Sequence, residues 1–265
     1  MSRQVFPRLD VAEATDVGLR RERNEDSLSV IIPPPNTPQI AQGALFLVAD
    51  GMGGLGGGAL ASQSAVEELI RCYYSPTPDH APVQDRLQQA LEAANGHVRN
   101  QAARIGLRRI GTTMTGLVLT ADEQALVFNI GDSRVYHLRN GLIEQITRDH
   151  SVMALQIESG LITEEQARLS RNCNITAFIG QPTPLDSCVQ PIPVHRGDVF
   201  VVCSDGLWSV METHEIYQLV HQVPAQQGVE RLVQLALQRG APDNVSVIVV
   251  RVGNPPRRRF WMPHP

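Results

Sequence analysis

The sequence predicts an α+β fold in a single domain. Three observations carry this. Three near-continuous apolar runs, at 44–49, 199–204 and 245–250, read as buried strands. The helical periods come in consecutive pairs between runs of strands, at 59–74 with 83–106 and at 213–223 with 225–239. No repeat of fixed period and no low-complexity stretch marks an internal boundary.

Taken in order, residues 9–19 lead into TDVGLRRERNEDSLSVII, of which 27–32 read as a strand. The Pro-rich stretch 33–43 connects it to the run at 44–49, so 27–49 is expected as a long-looped hairpin. That run ends on Asp50. Burying a lone carboxylate is costly, so hydrogen bonds or a cation must compensate. Gly51, Gly53, Gly54, Gly56, Gly57 and Gly58 follow and let the backbone pass close to whatever Asp50 holds. A tight turn in which Asp50 caps the backbone is the plain alternative. A phosphate-cradling P-loop is disfavoured, because no Gly-Lys-Ser/Thr follows. The helix at 59–74 carries Ala61, Ala65, Leu69 and Tyr73 on one stripe, and that at 83–106 carries Leu87, Ala90, Leu91, Ala94 and Val98 on one face. Runs at 111–120, 125–133 and 134–147 predict an antiparallel meander, with Arg139-Asn140-Gly141 as a hairpin turn. Residues 150–180 read as helical and then irregular. VFVVCSDGLW at 199–208 repeats the opening logic, a buried strand ending on an acid, Asp205. After the second helix pair Gly240 is a C-cap, and PDNVSVIVVRV at 242–252 is an acid followed by a β-branched strand.

Composition narrows the function. An apolar fraction of 42% and a charged fraction of 19% over 265 residues suit a globular protein with a sizeable core. A net charge of −4 gives no basic footprint for nucleic acid. Cys72, Cys173, Cys188 and Cys203 stand far apart with no Cys-x-x-Cys, which excludes common zinc-finger spacings and fits reduced thiols. The first residues hold no apolar signal core, and no run reaches the length of a membrane span. A cytoplasmic protein is expected.

The chemistry lies in the acids. Asp26, Asp50, Asp132, Asp205 and Asp243 stand at strand ends or turns. Singly, each fits an ordinary turn: Asn-Glu-Asp-Ser at 24–27 a solvated one, Gly131-Asp132-Ser133-Arg134 a hairpin with a local ion pair. Jointly, three buried strands with an acid at or next to one end can bring those acids together. Two carboxylates at 4 Å repel by about 4 kcal/mol at an effective dielectric of 20. Divalent cations relieve that repulsion, and oxygen ligands select hard ions such as Mg²⁺ or Mn²⁺.

The ordered series TDVGLRRERNEDS, VADGMGG, GTT, NIGDSRVYHL, TRDHS, CSDGLW and PDNVSVIVV resembles the metal-dependent protein phosphatase family, type 2C (PPM), in its compact bacterial form. The resemblance spans about 16–252. It implies a central sandwich of two antiparallel β-sheets flanked by pairs of helices, in a domain at 9–253; the basic and aromatic stretch at 254–265 reads from its own residues as a disordered tail. The resemblance implies an enzyme that hydrolyses phosphoserine and phosphothreonine in proteins with a metal-activated water, opposing a Ser/Thr kinase. By the family's pattern, Asp50 bridges two tightly bound Mn²⁺ or Mg²⁺ ions, the Gly51 carbonyl, Asp205 and Asp243 complete the ligands, and Glu25 and Asp26 hold metal-bound waters. Asp132 helps hold a third, weaker ion. Arg21 binds the substrate phosphate, with Arg20 and Arg23 as close rivals. An arginine fork suits two phosphate oxygens.

Several positions depart from the family or stand beside its chemistry. Met52 stands where eukaryotic members carry a His, and Leu55 where many bacterial relatives do. In the flap-like stretch 160–180, Ser170-Arg171 replaces a frequent His-Pro, and Ala177 a frequent Arg. These bear on substrate preference and leaving-group protonation. His150 is either an acid/base group or a structural residue at a helix start, with Asp149 or Ser151 as cap; the structural reading is preferred. Cys203, in an apolar run, reads as a core residue. Two other functions remain open at this stage: a non-catalytic phospho-recognition or regulatory module of the same fold, and a small-molecule phosphatase. The intact acid set argues against the first.

Overall fold

The computed structural model describes residues 8–53, 57–76, 81–107, 110–163, 166–167, 174–185 and 188–253. The expectations for Leu55, Ser170-Arg171, Cys173 and the 254–265 tail fall outside them. Eleven strands are described: β1 (Leu9–Asp16), β2 (Asp26–Ile31), β3 (Ala44–Met52), β4 (Gly111–Thr112), β5 (Met114–Leu119), β6 (Gln124–Ile130), β7 (Arg134–Arg139), β8 (Leu142–Gln145), β9 (Cys188–Pro193), β10 (Val199–Cys203) and β11 (Val245–Val252). The helices are α1 (Gly57–Tyr73), α2 (Val83–Arg104), α3 (Val152–Glu158), α4 (Asp205–Trp208), α5 (Thr213–Val220) and α6 (Ala225–Gln238). One sheet runs β1-β11-β10-β7-β8; the other runs β2-β3-β5-β6-β9, with β4 beside β3. All the pairings are antiparallel.

The continuous apolar runs are explained by burial on both faces. Along β3, Leu45, Leu47 and Ala49 pack on α1 and α2, while Ala44, Phe46 and Val48 face the other sheet. Along β11, Val245, Val247 and Val249 pack with α5 and α6, while Ile248, Val250 and Val252 join the layer between the sheets. β10 divides likewise, with Val201 and Cys203 on the helix side and Phe200 and Val202 between the sheets. Period-2 alternation thus survives, but both sets of positions are apolar. Cys203 is fully buried, and burial pushes its thiol up to about 12, which makes it inert as a nucleophile. The helix faces fall as expected: Ala61, Ala65, Leu69 and Tyr73 of α1, and Leu87, Ala90, Leu91, Ala94 and Val98 of α2, lie in one core.

The meander is where expectation and structure part. β5 pairs with β6, and β7 with β8 through the Arg139-Asn140-Gly141 turn, but β6 and β7 lie in different sheets. Gly131-Asp132-Ser133 is a crossing between the two layers, not a hairpin. Arg134 pairs with Asp149 at 2.7 Å, so the local ion pair with Asp132 is not made. Residues 9–16 are a full strand, held by eight register partners on β11. Smaller differences are that β3 extends through Asp50 to Met52, that α5 stops at Val220 and that β11 begins at Val245.

Candidate active site

In an antiparallel sheet the end of one strand and the start of its neighbour share an edge. Asp50, near the end of β3, lies directly opposite Asp26, the start of β2. Asp205 follows β10 and Asp243 precedes β11, two strands paired through Cys203 and Val247. Asp132 lies in the crossing after β6, whose last residue pairs with the start of β5. The sandwich therefore delivers Asp26, Asp50, Asp132, Asp205 and Asp243 to one edge.

Their ionisation records how close they are. Burial, reinforced by the charges of Asp205, Asp26, Asp132 and Asp243, holds the Asp50 carboxyl well above the usual range. Burial also pushes Asp205 up to about 6; the charge of Asp243 adds to this, and a hydrogen bond with Asp50 and the charge of Arg21 oppose it. Asp26 is raised to about 6 by burial, against hydrogen bonds from Ser246 and Ser204, with Asp205 and Asp243 adding repulsion. Asp132 is raised to about 7, by burial first and then by Asp205 and Asp149. Carboxylates crowded in low dielectric hold protons unless a cation replaces them.

The supporting groups are equally specific. Thr112 Oγ1 and the Thr113 amide donate to the Asp50 carbonyl at 2.8 Å each, and the Asp50 amide donates to Thr113 Oγ1 at 2.9 Å. Ser204 Oγ donates to Asp26 Oδ2 at 2.8 Å. Asp26 Oδ1 and Asp205 Oδ1 are buried with no hydrogen-bond partner. Gly51 and Gly58 permit the close passage of β3 against the start of α1: a Cβ on Gly51 would stand 2.2 Å from the Gly58 carbonyl oxygen, and one on Gly58 would stand 2.7 Å from Glu25 Oε2. Glu25 thus lies beside the Gly51 carbonyl, and the Gly51 amide donates to the Glu25 carbonyl at 3.1 Å.

At the rim, Arg21 reaches Asp243 Oδ2 at 2.5 Å with half its side chain exposed. No such contact with the cluster is described for Arg20 or Arg23. His150 brackets the crossing: its amide donates to the Gly131 carbonyl at 2.8 Å, and its Nδ1 accepts from the Gly131 amide at 3.3 Å. Ser151 caps α3, its Oγ accepting from the Ala154 amide at 3.1 Å. Asp149 is engaged by Arg134, whose guanidinium lies 3.6 Å over the Trp208 ring, and Trp208 Nε1 donates to the Asp132 carbonyl at 2.9 Å. Sequence reasoning missed this Arg134–Trp208 support, although Trp208 follows Asp205 in the motif. A cavity of about 600 Å³ opens here, between Asp132, Arg134, Trp208 and α3. A larger, mostly apolar one of about 940 Å³ lies past Met52, between the end of α2 and residues 178–182.

Among the described residues, no three acid, histidine or cysteine side chains form a ready-made ligand shell. What the fold supplies is a crowded acidic edge with two orphaned buried carboxylate oxygens, a donor set suited to hard divalent cations.

A two-layer antiparallel sandwich with helix pairs outside and an acidic edge between its sheets defines the class. The protein phosphatase 2C family profile matches residues 22–244, and the chain belongs to that family. It is 32% identical over 250 residues to the serine/threonine protein phosphatase PstP of Mycobacterium tuberculosis, covering 92% of this chain but only 45% of that protein. It is 30% identical over 245 residues to the protein phosphatase PhpP of Streptococcus pneumoniae, covering 91% of this chain and 97% of that one. A crystal structure of the PstP catalytic domain in complex with two manganese ions superposes with a TM-score of 0.79 at 30% identity, over 93% of this chain and 99% of that one.

Proposed function

We propose that the chain hydrolyses phosphoserine and phosphothreonine in proteins, using two Mn²⁺ or Mg²⁺ ions and a third, weaker one. The observation that carries this is the pair of partnerless buried oxygens, Asp26 Oδ1 and Asp205 Oδ1, inside a cluster of acids already raised by mutual repulsion. Asp50, Asp205, Asp243 and the Gly51 carbonyl are assigned the first two ions, Glu25 and Asp26 their waters, and Asp132 the third ion. When bound, such ions offset the carboxylate charge, make water more acidic and polarise the phosphate. Arg21 is assigned the phosphate oxygens; its present bond to Asp243 places its guanidinium at the rim of the acidic edge. Thr112 and Thr113 fix the Asp50 backbone, and Ser204 orients Asp26 so that Oδ1 stays free. Family relatives named as serine/threonine phosphatases support the substrate class.

A cytoplasmic setting opposite a Ser/Thr kinase is part of the proposal, in keeping with the free thiols of Cys72 and Cys203. No described helix is long and apolar enough to cross a membrane. The test is hydrolysis of phosphothreonine peptides by EDTA-stripped protein with and without Mn²⁺. Activity only with the ion is expected; full activity after thorough chelation would end the proposal.

A further inference from the structure

Asn244 is buried between Asp243 and the start of β11. Its side chain faces no acid of the cluster in any described hydrogen bond; it faces the loop that carries Arg21. Nδ2 donates to the Val17 carbonyl at 2.9 Å and to the Arg23 carbonyl at 3.0 Å, while Oδ1 accepts from the Glu25 amide at 2.8 Å. Both amide protons and the carbonyl of one side chain are thus spent on a single loop. Val17 and Arg23 are the two feet of that loop, and Arg21 stands between them.

The seating around this clamp is tight. The Leu19 amide donates to the Ala241 carbonyl at 3.0 Å, and the Gly18 amide to Asp16 Oδ1 at 2.8 Å. A Cβ on Gly18 would stand 2.2 Å from the Asp243 carbonyl oxygen. Beyond these points the loop is open: Leu19 is exposed, and the one described tether of the Arg21 side chain is its bond to Asp243. The backbone on both sides of Arg21 is therefore seated by Asn244, together with the Leu19 bond to Ala241 and a bond from Asn24 Nδ2 to Thr15 Oγ1 at 2.7 Å.

We propose that Asn244 is a positioning residue for phosphate binding: its carboxamide holds both feet of the 17–25 loop and so fixes where Arg21 presents its guanidinium. This rests on the reading of Arg21 as the phosphate ligand. It predicts an effect on substrate and phosphate affinity, while the backbone amide of residue 244, which donates to Asp243 Oδ1 at 2.9 Å, is kept in the alanine and serine variants.

The test is a double-mutant cycle of Asn244→Ala and Arg21→Ala, with a phosphothreonine peptide and inorganic phosphate as probes at saturating Mn²⁺. Asn244→Ala should lower kcat/KM about tenfold, mostly through KM, and raise the inhibition constant of inorganic phosphate by a similar factor. In the Arg21→Ala background the same substitution should cost less than about twofold, because the group it positions is gone. Amide exchange should quicken at Leu19 in Asn244→Ala and stay slow at Val247 and Val249. Asn244→Ser, read in parallel, should show the same pattern with smaller factors and carries the cycle if the alanine variant does not fold. Equal losses in both backgrounds, or a fall in kcat with unchanged KM and phosphate inhibition, would overturn the proposal while leaving the Arg21 reading intact. Unchanged phosphate inhibition in Arg21→Ala alone would remove that reading and the proposal with it.

Discussion

Asp205→Asn should make the metal-free protein more stable at neutral pH and the metal-loaded protein less so. Asp205 sits at the first turn of α4 with Oδ1 buried and unpartnered. Its carboxyl is raised from the usual 3.8 to about 6. A raised carboxylate pKa means that the folded state holds the proton more tightly than the unfolded one. Stability is therefore fullest below the unfolded value and is lost as pH rises through about 6. At about 1.4 kcal/mol per pH unit, the gap amounts to roughly 3 kcal/mol at pH 8 and about 1 kcal/mol at pH 4.5. Asparagine keeps the shape and never ionises, so the variant avoids this cost. For a chain of this size, each kcal/mol moves Tm by about 2–4 °C. Calorimetry in EDTA should place the variant about 6–12 °C above wild type at pH 8, with the gap shrinking to a few degrees at pH 4.5. Saturating Mn²⁺ should reverse the order, since ligand at a thousandfold over Kd stabilises the wild type by about 4 kcal/mol and the variant by much less. A variant no more stable than wild type in EDTA at pH 8, or a gap independent of pH, would mean that the buried Asp205 carboxyl carries no such cost.

Two further outcomes are expected. An alkoxide leaving group needs a proton and an aryl oxide barely does; with Asp132 assigned to the third ion, whose bound water would be acidic enough to supply that proton, Asp132→Ala should cost phosphopeptide hydrolysis about a hundredfold and p-nitrophenyl phosphate only a few-fold, compared as kcat/KM at saturating Mn²⁺. Equal losses would mean a general role for Asp132 and return His150 as a candidate acid. Arg134→Met should destabilise the fold by about 3 kcal/mol in urea titration, because it leaves Asp149, an acid with a largely buried side chain, without its cation and with the Gln145 Nε2 hydrogen bond at 2.9 Å as its remaining described side-chain donor, and uncovers Trp208.

Much of the site was legible because buried strands announce their ends. The runs closing on Asp50 and Asp205 and the run opening after Asp243 are apolar on both faces, and an acid is conspicuous there. Their convergence at one edge was not legible from any one of them, because β3 lies in one sheet and β10 and β11 in the other, and only the packing of the two sheets brings their ends together. The meander expectation failed for a related reason. β6 and β7 are both rich in apolar residues, and nothing local to Gly131-Asp132-Ser133 tells a hairpin from a crossing between layers. β1 escaped notice because LDVAEATD mixes polar and apolar residues, and its pairing partner lies at the far end of the chain. Asn244 carries no separate signal in the sequence; only the fold brings Val17, Arg23 and Glu25 to its carboxamide.

On the function proposed above, Asp50 would serve both divalent ions at the acidic edge. Calorimetric titration of Mn²⁺ into EDTA-stripped wild type and into Asp50→Ala tests it most directly. The wild type should take up two ions tightly, and the variant, lacking the shared ligand, should bind neither with comparable affinity. Two tight ions in Asp50→Ala would rule out Asp50 as their shared ligand.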